Sequence, residues 1–414
     1  MPAGNYSHRK SAAKLRLRYR NGASLVREPV KIRQTGHEFL FGCGGFDAVE
    51  LAGGKPDGAP LSPEEAAPIR DRLEKIFTLN NYATLPFYLG RYEPEEGKPD
   101  HARTLAAAKW FAERNIITKG HPLCWHTACA PWLMEYSNGE ILKRVIARIE
   151  RDVGVFKGLI DRWDVINEAV IMPIFDKYDN AITRICGELG RVKLVREVFS
   201  AARRANPDAV LVLNDFNTSI DYEILIDGCL QAGAPIDVIG IQSHQHQGYW
   251  GREKLREVLD RFSHFGLPLH FTENTLISGD LMPGHIVDLN DWQLDSWPST
   301  PEGEERQARE VLEFYEILFS HPSVEALTTW CPIDGRWLKA PAGLLREDNS
   351  PKPAYHALKT KILEEWRTEE QVLTGDTGEL SFEGFRGTYE ASARDAKASF
   401  VLDGKAGELD LTLA

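Results

Sequence analysis

The chain has 414 residues, 43% hydrophobic and 27% charged, with 34 Gly and 23 Pro; this globular composition excludes disordered, collagen-like and disulfide-scaffold classes. Lys and Arg number 49 against 61 Asp and Glu, and the net charge of −12 argues against a nucleic-acid partner. No apolar run reaches the ~20 residues that cross a bilayer, so no membrane partner is expected either. The first 20 residues are basic and lack the apolar stretch of a signal peptide. The expectation is a cytoplasmic chain as written, or a secreted one if a leader has been removed. Six scattered cysteines (Cys43, Cys124, Cys129, Cys186, Cys229 and Cys331), with no CxxC, read as reduced structural thiols.

In chain order, Lys14 to Arg20 alternates charged and apolar residues with period two. Asn21-Gly22 supplies a turn and Val26 to Arg33 a second strand, which predicts a hairpin over about 13–33 within an N-terminal extension, 1–38. Strands are then predicted at Phe39–Gly44, Tyr82–Leu85, Thr118–Trp125, Arg162–Asn167, Val210–Asp215, Val238–Ser243, Leu269–Thr272 and Ala326–Trp330. Helical patterns separate them, from Pro68–Phe77 through Ile141–Phe156 and Leu189–Ala205 to Glu302–Phe319. The β-then-α units predict an α/β fold, a TIM (β/α)8 barrel over 39–365. An open doubly wound sheet fits the alternation too, but no GxGxxG follows the first strand. Short strands return in 370–414, with apolar Leu380, Phe382, Tyr389, Phe400 and Leu402. Neither end can bury its apolar face alone, so the two are expected to meet in one small β-module.

Barrel enzymes keep their chemistry at the C-terminal ends of the strands. Polar residues gather there: His121 and His126, Asn167-Glu168, Asn214-Asp215, Gln242-Ser243-His244 and Glu273, then Trp330. A strand-end Glu alone can simply cap a helix. Two of them, Glu168 and Glu273, each ending an apolar strand and flanked by His, Asn, Gln and Trp, fit the paired carboxylates of glycoside hydrolysis. In a retaining enzyme the two carboxyls lie ~5–5.5 Å apart. At an effective dielectric near 20, charges that close repel by about 3 kcal/mol, roughly two pKa units, enough to keep one protonated. Trp125, Trp132, Trp330 and Trp337 flank these strand ends. Their faces suit the C–H faces of pyranose rings, although tryptophans also fill barrel rims.

The motifs Gly120-His121-Pro122-Leu123-Cys124-Trp125-His126, Trp163-Asp164-Val165-Ile166-Asn167-Glu168, Asn214-Asp215-Phe216-Asn217, Ile241-Gln242-Ser243-His244, Phe271-Thr272-Glu273 and Thr329-Trp330, with Asp334 and Trp337, occur in this order. They resemble glycoside hydrolase family 10, the retaining endo-β-1,4-xylanase family, over about Phe39 to Leu363. The resemblance implies Glu168 as general acid/base and Glu273 as nucleophile. It implies sugar contacts from His121, Trp125, His126, Asn167, Phe216, Gln242, His244, Trp330 and Trp337. It also implies an oligo- or polysaccharide substrate of the β-1,4-xylose type, with no cofactor and no metal. Nothing in the sequence specifies an oligomeric state.

The sequence also departs from the family. After the second barrel strand the family carries a Glu-Asn pair and a Lys that grip the sugars on the non-reducing side of the cut. Here those positions hold Pro86, Phe87 and Gly90. Ala128 replaces a Gln, and Asn274-Thr275 replaces Leu-Asp after the nucleophile. Losing hydrogen bonds built for a polar substrate alters discrimination by orders of magnitude. Two other classes stay open on the residues alone. His244-Gln245-His246 could serve a metal-dependent barrel hydrolase, and the missing grip could belong to a non-catalytic carbohydrate-binding protein. Finally, residues 274–301 form an unusually long connection with Trp292 and Trp297, expected to cover the substrate.

Overall fold

Two N-terminal strands, β1 (Lys10–Tyr19) and β2 (Pro29–His37), precede the barrel in the computed structural model, which describes residues 5–405 and 407–414. The apolar runs become parallel strands β3 (Leu40–Gly44), β4 (Tyr82–Pro86), β5 (Ile117–His121), β6 (Arg162–Asn167), β7 (Val210–Asp215), β8 (Val238–Gln245), β9 (Leu269–Leu276) and β10 (Val324–Thr329). They close into a barrel, with β10 pairing back onto β3. This is the expected TIM (β/α)8 architecture. Helices cover the outside, so strands need apolar residues on both faces; all of β9 is buried.

Two differences from the sequence reading have local causes. The third barrel strand ends at His121 rather than Trp125, because Pro122 has no N–H to continue the ladder. The helix expected over Leu189–Ala205 begins at Arg191, because Leu189 ends a preceding helix, Ala181–Leu189, and Gly190 between them has a φ of +79°. The two strands carrying the carboxylates are irregular. Pairing of β6 with β7 shifts between Asp164 and Ile166. Against β8, Phe271 pairs with Ile241 but Glu273 pairs with Gln242, leaving Thr272 as the extra residue of a bulge. Such bulges re-aim the side chains beside them.

The hairpin expected over 13–33 is not formed: β1 and β2 lie in different sheets. The C-terminal strands are β11 (Glu369–Leu373), β12 (Glu379–Phe385), β13 (Gly387–Ala393), β14 (Ala396–Leu402) and β15 (Glu408–Leu413). β1 runs between β12 and β15, while β2 runs between β11 and β13, with β14 outside. A hairpin alone would expose Leu15, Leu17, Val30 and Ile32. Splitting the strands between two facing sheets buries all four with Phe382, Tyr389 and Leu402. The chain ends thus build the expected β-module jointly.

Buried Arg9 fixes this module to the barrel. Its guanidinium donates to the carbonyls of Phe319 (3.0 Å), His321 (2.7 Å) and Val324 (2.5 Å), at the N-terminal end of β10. Trp366 stacks on Phe319 beside it, with centroids 4.1 Å apart. The module therefore sits on the face opposite the C-terminal strand ends. All six cysteines are free thiols, five of them buried. No helix among the described residues is long and apolar enough to cross a membrane.

Candidate active site

Glu168 follows β6 with a φ of +58°, a left-handed conformation uncommon for a residue with a Cβ. Its backbone N–H is held by the Asn214 carbonyl at 2.8 Å. The strained turn presents the carboxylate to three donors: Trp125 Nε1 (2.9 Å), Asn167 Nδ2 (3.2 Å) and Gln242 Nε2 (3.2 Å). Glu273, on β9, accepts from Asn214 Nδ2 at 2.8 Å and lies 3.2 Å from His244 Nε2. Asn214 and Gln242 both also donate to Asn167 Oδ1, at 2.7 and 3.0 Å. One amide network thus spans the two carboxylates. Beneath it, Asp164 holds His121 Nδ1 and Lys119 Nζ, each at 2.7 Å, and His121 Nδ1 is 3.9 Å from Glu273.

The environments drive the two carboxyls apart. Burial, reinforced by the charges of Asp215 and Glu273, pushes Glu168 up to about 8 against the pull of the Trp125 hydrogen bond. Burial also opposes ionisation of Glu273, but His121, His244 and Lys119 outweigh it and hold the carboxyl below its ordinary value. At neutral pH one group is a neutral acid and the other a carboxylate. That division is what acid-assisted displacement at a glycosidic carbon requires.

Aromatic side chains wall the site. Trp330 meets His121 edge-on at 5.2 Å, and Trp337 lies 4.5 Å from His244. The long connection after β9 packs on this wall: Trp297 touches His246 at 5.9 Å, and His246 touches Trp337 at 5.0 Å. Lys177, in the loop after β6, reaches Asp288 and Asp291 of the same connection at 2.6 Å each, a strap between loops that follow the two carboxylate strands. A groove of about 920 Å³ opens between Val170, Ile174, Arg191, Phe216 and Ile224, from the segments that follow Glu168 and Asp215 in the chain.

Residues 79–361, more than half of the chain, match the family model for glycosyl hydrolase family 10. The chain belongs to that family. It is therefore a glycoside hydrolase of the retaining type. It is 29% identical over 289 residues to endo-1,4-beta-xylanase B of Thermotoga neapolitana, covering 66% of this chain and 77% of that protein. It is 28% identical over 242 residues to the endo-1,4-beta-xylanase/feruloyl esterase of Xylanibacter ruminicola. That match takes in 49% of this hydrolase and only 33% of the relative's length. The crystal structure of xylanase 10B from Thermotoga maritima shares the fold, with a TM-score of 0.62 at 21% identity over 79% of this chain and 96% of that one.

Of the residues singled out from sequence, Glu168, Asn167, Trp125 and Gln242 meet in one cluster, joined to Glu273, His244 and His121 through Asn214. Trp330 and Trp337 wall it. His126 is placed differently: it is buried against Phe175 (4.5 Å), where desolvation lowers its pKa to about 4. Phe216 is half exposed and lines that groove. The metal reading gains no support from the geometry. His244 faces Glu273, His246 faces two tryptophans, and no group of three candidate ligands converges among the described residues. Sequence reasoning left out Asn214, Lys119 and Asp164 as site residues. Asn214 stood in a quoted motif; Lys119 gave no signal, being one charge in an apolar run.

Proposed function

We propose that the hydrolase cleaves β-1,4-linked xylose-type glycans by double displacement, with Glu168 as general acid/base and Glu273 as nucleophile. The observation that carries this reading is the opposite displacement of the two carboxyls within one hydrogen-bonded cluster. Protonated Glu168 donates to the glycosidic oxygen as the ionised Glu273 attacks the anomeric carbon, giving a covalent glycosyl-enzyme. Loss of that proton lets Glu168 take one from the water that then releases the sugar. Asn167 serves the sugar 2-hydroxyl, and His244 and Asn214 orient the nucleophile. The names of the relatives support a xylan-type substrate. A pair of carboxyls with opposed ionisation exceeds what a carbohydrate-binding protein needs.

The test uses Ala variants with added azide. Glu273→Ala is expected to abolish turnover, and azide to restore it with inverted configuration at the glycosyl azide. Glu168→Ala should cripple unactivated substrates far more than aryl glycosides, whose leaving groups need no proton. Near-normal activity of either variant on an unactivated substrate overturns the assignment.

A further inference from the structure

The grip missing on the non-reducing side is replaced by a wall. Phe87 turns into the core against Trp163 (4.9 Å) and Phe156 (5.1 Å), leaving Tyr88 to face the site. Tyr88 contacts His121 at 5.5 Å, Trp125 at 5.6 Å and Phe46 at 6.0 Å. Phe46 continues to Trp330 at 5.4 Å, and Trp330 returns to His121 at 5.2 Å. Two rings holding a pyranose between them would stand roughly 8 Å apart, one van der Waals contact on each side. Every neighbouring pair in this circuit stands closer than that.

The backbone makes the change structural rather than a matter of one side chain. Gly90 donates its N–H to the Ala128 carbonyl at 2.7 Å. A Cβ on Gly90 would lie 2.9 Å from that oxygen and 3.0 Å from the carbonyl oxygen of Cys129. The two positions where the family carries Lys and Gln have therefore closed onto each other, and the grip cannot be restored without moving backbone.

We propose, on the footing of the glycosidase reading above, that Tyr88 and Phe46 end the cleft one sugar beyond the cut, so that this hydrolase releases single sugars from chain ends. The leaving chain then extends on the other side of the cut. Tyr88 is a specificity determinant, acting by exclusion.

The test follows the first cut of xylopentaose labelled at its reducing end, at low conversion, with 4-nitrophenyl β-xyloside as a second substrate. The wild type is expected to yield free xylose and labelled xylotetraose. Tyr88→Ala, and the double variant Tyr88→Ala/Phe46→Ala, should move the first cut inward and raise labelled xylotriose relative to xylotetraose at least tenfold. Tyr88→Phe, which keeps the ring, should retain the wild-type pattern. Internal first cuts by the wild type overturn the proposal, as does a folded double variant with an unchanged pattern. Hydrolysis of the aryl xyloside but not of the pentaose also rejects it, while leaving the glycosidase reading standing. Hydrolysis of neither removes both.

Discussion

Asn214 donates from one amide nitrogen to Glu273 at 2.8 Å, while its oxygen accepts from Thr272, the bulged residue before Glu273, at 2.6 Å. The bulge thus supplies both the aim of the carboxylate and the hydroxyl that orients the amide facing it. Asn214→Asp would set a second carboxylate against the first, and like charges that close raise a pKa. The acid limb of kcat/KM is expected to move up by about one to two pH units. A pH profile of the variant checks this; an unmoved acid limb would show that Asn214 does not tune Glu273.

The same profile in the wild type reports the acid. Glu168, raised to about 8, must be protonated to serve as the proposed acid, so kcat/KM should fall as pH rises through about 8. With an aryl xyloside and Glu168→Gln, that basic limb should disappear.

Glu168 also costs stability, with a definite sign. Its folded pKa of about 8 lies above the unfolded value near 4.5. Between those values the unfolded chain releases a proton that the folded chain keeps, so stability drops as pH rises through this window. Glu168→Gln removes the effect and should stabilise the protein at pH 7–8 by on the order of 1–3 kcal/mol, with no gain near pH 4. Thermal melts at the two pH values read the difference directly.

The connection after β9 reaches Glu273 through a chain of rings, Trp297 to His246 to Trp337 to His244. Trp297→Ala should lower kcat and loosen this wall. Lys177→Ala, which removes an exposed strap of about 0–1 kcal/mol, should change KM by no more than several-fold. Kinetics of both variants on oligosaccharides test whether the connection serves substrate, and unchanged values in both would mark it as a passive rim.

Arg9 acts at the other end of the barrel. Arg9→Ala leaves three carbonyls without their charged donor and should destabilise by on the order of 3 kcal/mol. Because the carboxylates lie at the opposite face, kcat/KM at low temperature is expected to stay near wild type. A parallel loss of activity and stability would mean that the module couples to the site.

The alternation of apolar runs with amphipathic stretches determined the barrel, because strands buried on both faces leave that pattern in any sequence. Placement of Glu168 and Glu273 at strand ends was legible for the same reason. What a residue at such an end touches depends on bulges, on backbone angles and on which loop packs where. Thr272's extra place in β9 and the positive φ of Glu168 are set by neighbouring strands, so only the folded barrel fixed the aim of the two carboxyls. Their opposed ionisation needed the positions of His121, His244 and Lys119 and the burial around them. The alternating residues of 13–33 likewise announced two strands but not their separation into different sheets. That was decided by the C-terminal strands, which flank β1 on both edges in one sheet and β2 on both edges in the other, with the apolar residues of both buried in one shared core. The loss of the family's grip was written in Pro86, Phe87 and Gly90. That Tyr88 and Phe46 fill the space was a matter of packing, and packing is decided by shape in three dimensions.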